Sequence, residues 1–289
     1  MANRRLTGGA VAETRRREGL QLPSLRTAIR SPWASGVAVR IVWRTLLALV
    51  GFALLIGGWH LMAASGRFSP LLLPSPSDVY DTARHLFSNG SLTTDVLASL
   101  KRVSIGYALG VAAGVSLGVL FGAVKLLSAI FRPVLEVLRP IPGIAWIPLA
   151  IVWFGIGNAS SYFIVAIACF FPIFVNTHSA VTSVEGRYLE VARCLGATRR
   201  MQALEVTVPA ALPRILTGLR VGLGVAWMTV IAAELVAARS GLGYMIQLNR
   251  ELLQTPAVIV GMALIGLIGF AMSAALEVLE RWLVPWERR

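Results

Sequence analysis

The chain has 289 residues, 56% hydrophobic and 14% charged, with a mean hydropathy of +0.71. Soluble domains carry about a quarter charged residues, so these values exclude an ordinary soluble fold. The formal net charge is +13, yet the basic residues flank apolar runs and form no recognisable nucleic-acid module, which favours membrane lipid over nucleic acid as a partner.

Residues 1–44 carry nine arginines and little apolar periodicity. They read as a cytoplasmic basic tail, disordered or lying on the membrane surface. Residues 45–65, Thr45 to Ser65, form an uncharged window long enough to cross the hydrocarbon, an extra N-terminal transmembrane helix. Its length and the long preceding tail argue against a cleaved signal peptide. Residues 66–98 follow as a periplasmic amphipathic segment. A second span runs from Val103 to Val124, where Gly106, Gly110, Gly114, Gly118 and Gly122 recur every four residues. That spacing puts them on one face, suited to close helix packing, with a pore-lining face as the alternative.

The uncharged run from Pro140 to Val184 is about twice the length a span needs, and GIGNAS (Gly155 to Ser160) divides it into a third and a fourth span. In RPIPGIAWIPL, Pro140, Pro142 and Pro148 remove backbone donors, so the third helix must start late, kink or break. Broken backbone at membrane depth is tolerated inside protein or along a water-filled cavity, which makes Arg139, Pro142 and Trp146 candidates for a translocation path. Asn176 and Thr177, near the inner end of the fourth span, are further path candidates. A fifth span covers Ile215 to Ala237 and contains Glu234, and a sixth covers Leu252 to Leu276. The expected fold is all-α, a polytopic membrane protein with six transmembrane helices. Five of them form a core over 99–280, with a cytoplasmic loop at 185–213 and a cytoplasmic C-terminus at 281–289.

Orientation follows from Arg and Lys, which accumulate on the cytoplasmic side. With both termini inside, the inner segments hold 21 of the 27 basic residues and the outer segments hold 6. Cys169 and Cys194 lie at different depths, so no disulfide is expected. His60, His85 and His178 lack ligand spacing, so no metal site is expected either.

The stretch EVARCLGATRRMQALEVTVPAALP, Glu190 to Pro213, interrupts the apolar sequence on the inner side. Apolar residues at Tyr188, Leu189, Val191, Ala192 and Leu195 alternate with charges in a short amphipathic helix that Gly196 can end in the left-handed conformation. Thr198 can cap a second helix, which Pro209 and Pro213 stop or bend before the fifth span. A segment resting on lipid and a handle for a partner protein both fit this pattern.

At these residues the sequence resembles the inner-membrane permeases of bacterial ABC importers. Their cytoplasmic loop carries EAA, three residues, Gly, nine residues, then I-x-L-P. Glu190, Val191 and Ala192 stand at EAA, Gly196 at the glycine, and Val206, Val208 and Pro209 at I, L and P. LLLPSPSDV, ASLKRVSIGYALG, RPIPGIAWIPLAIVWFGIG, LTGLRVGLGVAWMTVIAAEL and SGLGYMIQ are similar to the branch for nitrate, sulfonate, taurine and bicarbonate. The resemblance implies a type I importer fold in the bacterial inner membrane. Two permease copies, as a homodimer, would form the path for a small anion delivered by a substrate-binding protein. Glu190, Val191, Ala192, Arg193, Gly196, Val206 and Pro209 would dock into two ATPase subunits, which carry ATP and Mg. This chain contains no G-x-x-x-x-G-K-[ST] phosphate loop, so it reads as a transport subunit without a cofactor and not as an enzyme.

Glu234 is the one carboxylate expected inside a span, and such a group suggests a functional site with a partner. Arg239, five residues on, can reach it if the helix ends or bends there; snorkelling to the outer water is the alternative. The expectation is a gate element that helps hold the outer end of the path shut. A secondary transporter, which would couple ions through intramembrane ionisable groups and show repeated halves, and a plain membrane anchor are the alternative classes.

Overall fold

A computed structural model describes residues 33–184 and 186–287. Most of the expected basic tail, together with Glu185, Arg288 and Arg289, lies outside these residues. Eleven α-helices occur among the described residues, with no strand: α1 (Trp33–Ala64), α2 (Pro76–Ser88), α3 (Ser91–Ala123), α4 (Lys125–Leu138), α5 (Ile147–Phe154), α6 (Asn158–Thr182), α7 (Gly186–Cys194), α8 (Arg199–Met201), α9 (Val208–Ala237), α10 (Leu242–Glu251) and α11 (Thr255–Leu283). The chain divides into two compact units, residues 1–58 and 59–289.

In the first unit α1 begins at Trp33, ahead of the expected span, and its apolar part from Leu46 belongs to a candidate membrane span ending at Ala64. In the second unit α3, α6 and α9 form the core, where Val103, Val165, Cys169, Ile173, Ala226 and Val230 are buried together. The glycine spacing explains how closely α3 and α6 approach. A Cβ added at Gly106, Gly110, Gly114, Gly118 or Gly122 would lie 2.6, 2.2, 2.8, 2.6 or 2.7 Å from Val165, Cys169, Ile173, Thr177 or Val181 respectively. Both helices thus present residues four apart, and backbone contact replaces side-chain interdigitation along the whole seam. The glycine face is a packing face.

The second span starts earlier than expected, at Ser91, because Lys101 and Arg102 extend the helix instead of bounding it. The third span differs more. Its first arm is α4, where the charges Lys125, Arg132 and Arg139 predict an inner loop, and its second arm is the 3-10 turn Gly143–Trp146 followed by α5; the two arms are bent by 88°. The physical cause is the pair Pro140 and Pro142, each without a backbone donor. Gly143 seats the bend against the bundle, where a Cβ would come within 2.5 Å of Ala168 and 3.3 Å of Thr229.

Among the described residues, five helices are long and apolar enough to cross a membrane, or six when the bent pair counts as one span. α2 is amphipathic and starts with a capping box: Ser75 accepts from the Asp78 amide, and Asp78 accepts from the Ser75 amide at 3.0 Å. The Ser75 hydroxyl, which donates to Asp78 Oδ2 at 2.7 Å, and then the Ser75 amide hold the Asp78 carboxyl below its ordinary value. Val79, Ala83 and Leu86 on its inner face pack against Leu92, Met245, Val260 and Leu264.

Candidate functional site

The stretch singled out in the sequence forms an elbow at one end of the bundle. α7 ends in a Schellman turn: the Gly196 amide donates to Arg193 O and the Ala197 amide to Ala192 O, both at 2.9 Å, with Gly196 at φ +80°. That conformation costs a side-chain-bearing residue about 1–2 kcal/mol, which is why glycine stands there. Thr198 then caps the next turn by accepting from the Met201 amide at 3.3 Å.

Beyond the cap the structure departs from the expected second helix. α8 is a single turn and passes through a π-helical segment, Gln202–Thr207, directly into α9. Pro209 and Pro213 do not end the helix. The Val208 amide donates to Ala203 O, five residues back, and this widened turn relieves the clash that Pro209 would make in regular α geometry. The second arm of the elbow is therefore the first part of the fifth spanning helix, so a push on the elbow acts on α9 without an intervening joint.

Ala192 alone among the described α7 residues is buried. Glu190 and Arg193 are exposed, and so are Val191 and Leu195, at 59% and 82%. Val206 and Pro209 line a groove of about 380 Å³ with Tyr188, Glu205 and Trp286. Of the elbow candidates, Glu190, Val191, Arg193 and Gly196 are thus exposed, Val206 and Pro209 are half-buried in the groove, and Ala192 is buried.

The other candidates separate. Arg139 lies just before the 88° bend and lines a cavity between α4 and α6, while Pro142 forms the bend. Trp146 packs edge-on against Phe163 at 6.5 Å. Asn176 and Thr177 lie in helix contacts: Asn176 donates to Pro172 O at 2.7 Å and abuts Gly218 of α9, and buried Thr177 abuts Gly118 of α3.

At the end of the bundle opposite the elbow, Glu234 is buried and its partner is Arg102, not Arg239. Arg102 Nη1 donates to Glu234 Oε1 at 2.8 Å, with the two side chains 6% and 0% exposed. Arg239 is exposed, and snorkelling is excluded for Glu234 by its burial. The local reach of five residues loses to a helix contact because α3 passes directly beside α9. Ser99 donates to both carboxylate oxygens at 2.8 Å, and the Gly243 amide donates to Oε2 at 2.9 Å. Arg102 also donates to Asn158 Oδ1 at 2.8 Å and to Ser240 Oγ at 3.0 Å.

The first amides of α10 are satisfied by the same cluster: Gly241 donates to Asp95 at 2.7 Å and Leu242 to Ser99 at 2.8 Å. Carboxylates at a helix N-terminus are favourable there because the free amides and the helix dipole both point at them. One ion pair therefore joins α3, α6, α9 and the start of α10. The sequence reading missed Arg102, although a signal existed. One further step of four back from Gly106 falls on Arg102, which puts it on the buried seam.

The family described as "Binding-protein-dependent transport system inner membrane component" matches residues 110–289. A probable ABC transporter permease protein of Brucella abortus (strain 2308) is 41% identical over 243 residues, 84% of this chain and 96% of that protein. The taurine transport system permease protein TauC of Escherichia coli (strain K12) is 36% identical over 258 residues, 86% of this chain and 94% of that protein. Among solved structures, the inward-facing MetNI methionine ABC transporter matches with a TM-score of 0.58 at 19% identity, over 65% of this chain and 94% of that one. This last likeness concerns the fold.

Proposed function

Because the chain belongs to the binding-protein-dependent inner-membrane transport family, in its nitrate, sulfonate and taurine branch, we propose that two copies form the translocation path of an ATP-driven importer for a small anion. The complex lies in the bacterial inner membrane with both chain termini inside. A substrate-binding protein delivers cargo at the outer side, and two separate ATPase subunits hold ATP and Mg. The single observation that carries the coupling role is the elbow. It exposes a charged and apolar surface held rigid by the Gly196 turn, and it continues without a break into α9.

On this reading Glu190, Val191, Arg193 and Leu195 meet the ATPase, while Ala192 and Pro209 fix the elbow to the bundle. Closure of the ATPase pair moves the elbow, and α9 transmits that motion toward the Arg102–Glu234 cluster. Glu234 acts with Arg102 as a brace that holds the outer end of the path in its closed arrangement. Arg139, Pro142 and Trp146 form the bent element beside the path, and Asn176 and Thr177 support it from behind. An ion-coupled secondary transporter needs a titrating intramembrane group, whereas Glu234 is satisfied by three donors within the chain, Ser99, Arg102 and the Gly243 amide.

The test is reconstitution of the permease with its ATPase and binding protein in vesicles. Uptake should require all three proteins and ATP, and Glu190→Lys should release the ATPase from the purified complex. Uptake driven by an ion gradient without ATP would overturn the reading.

A further inference from the structure

The chain builds the same helix-ending turn twice and fills its special position differently. α7 ends on Gly196, whereas α10 ends on Leu253: the Leu253 amide donates to Arg250 O at 3.2 Å and the Gln254 amide to Asn249 O at 2.8 Å. Leu253 has φ +57° and is the one non-glycine residue with positive φ among the described residues. Side chains rarely adopt this conformation, and glycine or asparagine is usual at this place in the turn. The apolar contact that accompanies such a turn is made by the residues around this position, not by the position itself. Leu253 is 71% exposed, so its strained backbone gains little packing inside the chain.

A second apolar turn stands beside it. The Leu72 and Leu73 amides donate to Ser69 O at 2.9 and 3.0 Å, and Leu71 and Leu72 are exposed. Thr255 Oγ1 donates to Leu71 O, which ties this turn to the start of α11, and Trp59 Nε1 donates to Pro74 O at 3.0 Å. Leu71, Leu72, Leu252 and Leu253 thus form one exposed apolar edge, and exposed Arg67 and Arg250 precede its two halves in the chain.

The level of this edge identifies its occupant. From Thr255 to Leu276 α11 carries no charge, a stretch about 33 Å long at 1.5 Å per residue that matches a hydrocarbon layer of about 30 Å. Glu277, Glu280 and Arg281 mark its inner limit, so Thr255 marks the outer one. Both leucine turns lie next to Thr255, where a protein arriving from water would meet lipid headgroups first. We propose that this edge inserts into the outer leaflet at the boundary of headgroups and acyl chains, with Leu253 as its wedge and Arg67 and Arg250 reaching the lipid phosphates. An apolar edge accompanied by basic residues is the pattern of segments that lie in a membrane interface. The proposal takes from the importer reading only that this end of the bundle is the outer one. α10 carries the wedge after its last turn and the Asp95 and Ser99 contacts at its first amides, so the leaflet steadies the helix that the Arg102–Glu234 cluster holds at its other end.

The test uses the permease with its ATPase subunits in nanodiscs of phosphatidylcholine, in a Cys194→Ser background, with a nitroxide attached at Leu253→Cys, Leu72→Cys or Glu251→Cys. Power saturation compares relaxation by oxygen, which concentrates in lipid, with relaxation by a nickel chelate, which stays in water. The labels at Leu253→Cys and Leu72→Cys should respond to oxygen and lose the response to the chelate, and the label at Glu251→Cys should show the reverse. Leu253→Asp tolerates the backbone conformation and carries a charge, so it should return the label at Leu72→Cys to the chelate; Leu253→Met should not. Chelate access at Leu253→Cys equal to that at Glu251→Cys would overturn the proposal, as would Leu253→Asp leaving the label at Leu72→Cys in lipid. Protection that appears only with loaded binding protein, or dipolar broadening between the Leu253→Cys labels of two copies, would also overturn it, because the occupant would then be a protein. If Leu253→Asp does not fold, the labels at Leu253→Cys and Leu72→Cys decide. The importer reading fails separately, if the ATPase subunits do not co-purify or an impermeant thiol reagent reaches Glu251→Cys only from the inside, while the oxygen preference at Leu253→Cys persists.

Discussion

Arg102 and Glu234, 132 residues apart in the chain, form a buried ion pair at 2.8 Å that joins α3 to α9 and sets the start of α10. Removing one partner of such a pair leaves an uncompensated buried charge, at a cost of about 3–5 kcal/mol, whereas replacing both with apolar groups is often neutral. Arg102→Met should therefore lower the thermal unfolding temperature in detergent strongly, and Arg102→Met with Glu234→Met should recover much of the loss in a double-mutant cycle. Glu234→Gln should also lower uptake and raise ATP hydrolysis in the absence of loaded binding protein. Equal unfolding temperatures for wild type and the single variant would remove the brace.

Gly196 takes φ +80° with nothing within 4 Å of an added Cβ, so a substitution there strains the backbone without any collision. Gly196→Val should cost about 1–2 kcal/mol locally and sharply reduce ATP-driven uptake while the protein still inserts. Gly196→Asn should retain much of the activity, since asparagine tolerates this conformation. Identical uptake by well-expressed Val and Asn variants would show that the turn does not position the docking surface.

At Gly110 an added Cβ would meet Cys169 Sγ at 2.2 Å and Ala166 O at 2.8 Å, whereas nothing lies within 4 Å of one at Gly224. Gly110→Val must separate α3 from α6, and overpacking of this kind costs about 1–3 kcal/mol or more. Thermal unfolding should show a large drop for Gly110→Val and little change for Gly224→Val. A similar drop at both sites would point to helix propensity instead of the seam.

Cys194 is exposed on the elbow and Cys169 is buried in the core. A membrane-impermeant thiol reagent should label Cys194 in inverted vesicles and fail to do so in intact cells, with Cys169 unlabelled in both. Labelling of Cys194 from outside would reverse the orientation and remove the elbow from the ATPase side.

Much of the architecture was legible from local chemistry. Span number, the close-packing face of α3 and the elbow turn follow from hydropathy, a four-residue glycine period and a glycine between two amphipathic stretches, and each of these acts within a few residues of itself. The glycine period also encoded the depth of Arg102. A charged residue, however, reads as a boundary unless its counter-charge is known. For the same reason the α4 segment reads as an inner loop, since Lys125, Arg132 and Arg139 interrupt hydropathy while one face of that helix is apolar.

What the sequence determined by itself is therefore the membrane class, the approximate number of spans and the position of the elbow turn, all carried by spacing along one chain segment. What only the tertiary structure decided is which buried charges meet: Glu234 pairs with Arg102 in place of Arg239. The physical reason is that a buried charge is governed by whichever opposite charge or donor lies within hydrogen-bonding distance. In a helical bundle that neighbour is set by how α3, α4, α6 and α9 pack, not by separation along the chain.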